Sequence, residues 1–172
     1  MNIFAAITLL GIVMLAVIQD LCLMKIRNNI ILIGLILGMV FRIGGQGVSS
    51  VISGIGNVLF PILIFYLLFA ARIIGAGDIK LFSVIGSFVS FSQLVCCMAY
   101  AFLFGAVISF VLLVCKKDLW TGMKRALMYF VRIGRGERIS YDKISLGKGN
   151  LMHFSVAIGL GLMVVIFRGC AI

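Results

Sequence analysis

A chain of 172 residues that is 63% hydrophobic and 12% charged, with a mean hydropathy of +1.28, cannot bury its apolar side chains inside one water-soluble globule. The composition excludes an ordinary soluble domain and specifies a polytopic membrane protein embedded in a lipid bilayer. The net charge of +10 does not point to nucleic acid, because the basic residues lie in loops between apolar runs and no aromatic platform for bases is interleaved with them.

Six apolar segments read as helices, since hydrocarbon offers backbone groups no partner and the runs are too continuous for barrel strands. The pattern predicts an all-α membrane bundle with spans over about 2–24, 29–41, 51–71, 79–92, 94–115 and 151–167, forming one integral-membrane domain over 1–172. The first span lacks the positive flank of a secretory signal and is expected to be retained. Gly34 and Gly38 form a GxxxG pair on the second, a surface for close helix approach. The second and fourth spans are short. At about 1.5 Å per residue neither crosses the roughly 30 Å of hydrocarbon, so each is expected to extend into its flanks or to be shielded by neighbours. The fourth and fifth are divided somewhere in SFVSFSQLVCC.

The one sizeable polar region is 116–150. Within it Leu119, Trp120, Met123, Leu127, Phe130 and Val131 recur at helical spacing, with Lys124, Arg125 and Arg132 on other faces. This pattern predicts a cytoplasmic amphipathic helix on the anionic inner leaflet, with a docking surface for a partner as the alternative. Lysine and arginine set the orientation. With the N-terminus outside, thirteen of the fifteen fall on the inner side and only Arg42 and Arg168 outside, the sign expected for an N-out, C-out bundle.

Cys22, Cys96, Cys97, Cys115 and Cys170 form no CxxC pair. They read as small apolar side chains rather than metal or redox ligands, with a bridge from Cys170 to Cys96 or Cys97 open if those ends meet. No metal site and no cofactor is expected.

Only five acidic residues occur, and two of them, Asp20 and Asp78, sit in or beside apolar runs. A carboxylate in hydrocarbon is costly, so an intramembrane acid is a functional candidate by default. Asp20 precedes Lys25 by five residues, about one and a half turns below the inner surface. Asp78 follows the third span, which also ends inside. Topology therefore brings both to the inner face from different helices. Two carboxylates that approach closely share a proton; the ionised one can take a proton from water while the protonated one polarises a carbonyl. The plainer alternatives are a helix cap for Asp78 and a pair with Lys25 or Arg27 for Asp20. Gly75 and Gly77 are expected to support Asp78 by taking positive φ or admitting a neighbour. Lys80 reads as an inner-face anchor, Asn28 as a cap for the second span, and the lone His153 as structural.

Residues 75–80, GAGDIK, match the GxGDxK signature of the type IV prepilin peptidases, and Asp20 followed by Lys25-Ile26-Arg27-Asn28 is similar to that family's other motif. Arg27 stands where the family usually has proline, and residues 152–159 lack the proline that often opens the last helix. The chain resembles the compact members that process small Flp-type pilins, without the added domain that methylates the product. The resemblance implies an aspartyl endopeptidase that cuts a prepilin-like substrate helix after its basic leader, at the cytoplasmic face of the bacterial inner membrane. It implies Asp20 and Asp78 as the catalytic pair, with Gly75, Gly77, Lys80 and Asn28 as supporting motif positions. Two other readings remain: a small proton-coupled transporter, which needs ionisable groups spread through the membrane depth, and a non-catalytic subunit of a pilus or secretion complex.

Overall fold

Six helices follow one another among the described residues: α1 (Ile3–Leu23), α2 (Asn28–Gln46), α3 (Ser50–Ala70), α4 (Ala76–Phe88), α5 (Phe91–Cys115) and α6 (Phe154–Gly169). The computed structural model describes residues 3–23, 26–47, 50–71, 73–115 and 154–169. The amphipathic segment expected over 116–150 lies outside them, as do Lys25, His153 and Cys170. The chain divides into two units. One is Met1–Phe104 with His153–Ile172; the other, Gly105–Met152, is described only where α5 continues to Cys115.

Four helices, α1, α2, α3 and α5, are long and apolar enough to cross a membrane; α6 is a shorter apolar helix. Their outward faces carry Phe4, Ile52, Leu63 and Leu67, all highly exposed, a surface suited to hydrocarbon rather than water. The chain is a multi-pass membrane protein.

Helix α4 is the exception. It has thirteen residues, about 20 Å of helix, and packs against α1, α2, α3 and α6. Every residue from Leu81 to Val89 is buried. Close approach of its neighbours makes this possible. Gly34 and Gly38 of α2 leave no room for a Cβ against Val84 and Ser87 of α4, the use expected of the GxxxG pair. On the other side, Pro61 inside α3 has no N–H for the Asn57 carbonyl, and that carbonyl occupies the place where a Gly86 side chain would sit.

The far end of α4 needs donors, because the last carbonyls of a helix have no partner within it. Arg42 supplies them: its Nε donates to the Ser87 carbonyl (3.3 Å) and its Nη2 to that of Val89 (2.6 Å). The Asn57 amide also donates to the Val89 carbonyl (3.0 Å). The Nη1 of Arg42 reaches Ser53 Oγ (3.0 Å) in the first turn of α3. A cavity of about 530 Å³ opens here, with Arg42, Ser53, Asn57 and Gln93 on its polar side and Phe41, Phe88 and Phe91 on its apolar side. It lies at the end of the bundle away from both candidate aspartates.

These contacts explain the boundaries that differ from expectation. Helix α2 runs to Gln46 rather than stopping near Phe41, because the Arg42 charge is spent on the carbonyls of its neighbours. Helix α4 is the short span that stays short and is shielded instead. It starts a turn earlier than expected, at Ala76, and ends earlier, at Phe88. Helix α5 begins at Phe91 because Ser90 opens it: the Gln93 side chain accepts the Ser90 N–H (3.2 Å), one half of a capping box. The cysteines divide: Cys97 is buried, whereas Cys22 and Cys96 are exposed on the outer faces.

Two stability tests follow from this packing. Gly86→Ala should lower the unfolding midpoint of the detergent-solubilised protein by an amount equivalent to about 1–3 kcal/mol, while Gly11→Ala, where nothing lies within 4 Å, should leave it nearly unchanged. Arg42→Met should destabilise by about 1–3 kcal/mol in the same melt, through the carbonyls it strands.

Candidate active site

The opposite end of α4 carries Asp78, the third residue of the helix. Gly75 is the residue that caps α4, with φ −73° and ψ 146°, ordinary extended backbone. The expectation of positive φ at the GxGD glycines is therefore corrected. Among the described residues the glycine with positive φ is Gly47, after α2. What Gly75 offers is space and a donor. Its backbone N–H bonds to the Asp78 carboxylate, the reverse half of a capping box, and the Asp78 N–H returns to the Gly75 carbonyl (3.2 Å). A Cβ on Gly75 would stand 3.2 Å from Asp78 Oδ2, tighter than a relaxed contact. Asp78 is thus not the N-cap, but its charge sits in the first turn, where the helix dipole favours an anion. At Gly77 a Cβ would meet only Ile26, at an ordinary 3.4 Å.

Asp20 lies in the last turn of α1. Its Oδ2 accepts a hydrogen bond of 2.6 Å from Ser155 Oγ, in the first turn of α6. Asp20 and Asp78 are both half-buried, and the Asp20 charge acts on the Asp78 carboxyl. The fold therefore brings two acids from separate helices to one end of the bundle. Among the described residues no lysine or arginine pairs with either. The backbone N–H of Arg27 bonds to the Gln19 side chain (3.3 Å), one residue before Asp20.

Lys80 and Asn28 also meet. The Lys80 ammonium donates to Asn28 Oδ1 (2.9 Å), tying the start of α4 to the start of α2. This corrects the capping role expected of Asn28: the cap of α2 is Arg27, with no side-chain bond, and Asn28 is the first helical residue. The described residues contain no cluster of three or more His, Cys, Asp or Glu side chains able to hold a metal.

Ser155 is the member of this constellation that motif reading passes over. Its signal is faint but physical. Ser155 and Gly159 stand four apart, the small-xxx-small spacing of a helix contact, and Gly159 faces Val13 and Val17 of α1.

The model of the type IV leader peptidase family matches residues 7–110, more than half of the chain. The protein belongs to the type IV leader peptidase family. No curated protein and no solved structure matches it significantly. The matched span contains Asp20, Asn28, Gly75, Gly77, Asp78 and Lys80 and ends before α6, so Ser155 lies beyond it.

For a leader peptidase built this way, the two GxGD glycines should differ sharply. Gly75→Ala, which crowds the Asp78 carboxylate, should lower the rate of leader cleavage roughly ten- to a hundredfold. Gly77→Ala should retain most of it. Initial rates on one purified precursor in detergent decide the point.

Proposed function

We propose that this protein is an intramembrane aspartyl endopeptidase that removes the leader of a type IV, Flp-like prepilin at the cytoplasmic face of the bacterial inner membrane. The observation that carries the reading is the placement of Asp20 and Asp78 at one end of the bundle, from the last turn of α1 and the first turn of α4, in a chain of the leader peptidase family. The distribution of cations supports the orientation. Arg27 and Lys80 lie toward the aspartate end, whereas Arg42 and Arg168 lie at the other, as six spans with both termini outside would require.

The chemistry follows from the pair. Like charges held close favour one proton shared between the two acids. The ionised acid takes a proton from water as the water oxygen attacks the scissile carbonyl carbon. The protonated acid donates to the carbonyl oxygen, giving a tetrahedral diol. Proton transfer to the leaving nitrogen then breaks the C–N bond, releasing a new carboxyl end on the leader and a new amino end on the pilin helix. Half-burial at a helix end lets water reach the site while the apolar core beneath it, Leu9, Val13, Leu81 and Ile85, keeps water out of the bundle. Among the described residues that core carries no acidic or basic side chain, whereas a proton-coupled transporter needs ionisable steps through the membrane depth.

Asp20→Asn and Asp78→Asn should each abolish leader removal from a co-expressed Flp-type precursor while the protein still inserts and folds. Because the two acids act as one unit, the double variant should be no worse than either single one. Cleavage retained by either single variant would refute the mechanism.

A further inference from the structure

Ser155 has a use that neither the helix packing nor the two-acid chemistry requires, and the argument for it rests on the peptidase reading above. Its side chain is fully buried, and its single hydroxyl hydrogen goes to Asp20 Oδ2 in a short bond of 2.6 Å. The two buried serines in the interior of α4 behave differently. Ser83 and Ser87 of α4 return their hydrogens to carbonyls of their own helix, Ile79 (3.2 Å) and Val84 (2.7 Å), the usual fate of a hydroxyl inside an apolar bundle. Ser155 instead crosses to a carboxylate on another helix.

Its own placement is over-determined. Phe154, one residue before, packs against Phe82 of α4 and Phe102 of α5, with ring centroids 6.5 and 5.4 Å away. One turn later Gly159 lies against Val13 and Val17, so α6 is registered on the same face of α1 that leads to Asp20. Two residues further on, Gly161 meets the backbone of Cys97 and Ala101, where a Cβ would come within 2.8 Å of the Ala101 nitrogen. The first half of α6 is therefore packed against α1, α4 and α5.

We propose that Ser155 is a positioning residue for peptide cleavage: it occupies Oδ2 of Asp20, fixes the carboxylate rotamer, and leaves Oδ1 as the oxygen that meets the shared proton and the attacking water. A carboxylate without that bond would rotate about its terminal torsion, which is broad and two-fold, and would spend much of its time misaligned with Asp78. Ser155 touches no reacting atom and acts through Asp20. The loss therefore falls on the chemical step and not on binding of the substrate helix.

The test is steady-state cleavage of a purified Flp-type precursor by the full-length enzyme in detergent, with kcat and KM separated and the melting midpoint recorded for each variant. Ser155→Ala should lower kcat about ten- to a hundredfold with KM unchanged. Ser155→Thr, which keeps the hydroxyl, should recover kcat to within a few-fold of the parent. Ser155→Cys, similar in volume with a weaker donor, should fall between serine and alanine, and it decides the question if threonine is too bulky to fold. A Ser155→Ala enzyme with kcat within twofold of the parent overturns the proposal. So does a loss that merely tracks a fall in folded protein, or one that appears in KM alone. Asp20→Asn and Asp78→Asn run beside it: if both are inactive while Ser155→Ala is not, the positioning role fails and the two-acid mechanism stands. If either asparagine variant cleaves, the mechanism itself fails.

Discussion

A thirteen-residue helix cannot cross hydrocarbon by itself, and the constraint that organises this protein is that α4 must nevertheless be buried on every side. Lipid satisfies none of the backbone groups at its ends, so protein must. At one end Arg42 and Asn57 supply donors to the Ser87 and Val89 carbonyls. At the other, Gly75 and Asp78 bond to each other across the first turn. The glycines that let α2 and α3 close around α4, the extension of α2 past Phe41 and the proline in α3 all serve that enclosure. An arginine in a membrane segment would ordinarily be a functional candidate. Here its bonds to neighbouring carbonyls show a structural use.

That enclosure gives the aspartate end its character. Asp78 is carried on a helix buried from Leu81 to its end, and the Lys80–Asn28 bond ties that helix to the start of α2. Asp20 is held from the other side by the first turn of α6. Each acid thus has one fixed hydrogen bond from a donor that carries no charge, a backbone N–H for Asp78 and a hydroxyl for Asp20. Both donors are neutral, so each orients its carboxylate without adding a further charge to the site.

Much of this was legible in the residues, and the failures have physical causes. The existence and type of each helix follow from long apolar runs. The GxxxG pair of α2 reads as close packing and is used so. The two acids read as neighbours because both lie at the inner ends of their segments, and the GxGDxK signature points to the family that residues 7–110 match. The end of α2 at Gln46 is not legible because nothing in the sequence shows which carbonyls receive Arg42. The start of α5 was legible in the Ser90-Phe91-Ser92-Gln93 run, a capping-box pattern, but hydropathy alone slides past it. Gly75 does not take the expected positive φ because a helix cap needs only extended backbone, and a Cβ there would instead crowd the Asp78 carboxylate.

The amino-acid sequence alone determined that the chain is a helical membrane protein, where its apolar runs lie, and which two acids are out of place in them. Those properties are local: they depend on residue chemistry and spacing along one segment. Only the tertiary structure decided that Arg42 closes the far end of α4, that Asn28 receives Lys80 rather than capping its own helix, and that Ser155 reaches Asp20 across 135 positions of chain. Each of these is a choice among several polar partners of equal chemistry. It is made by which helix faces are pressed together, and helix faces are set by packing.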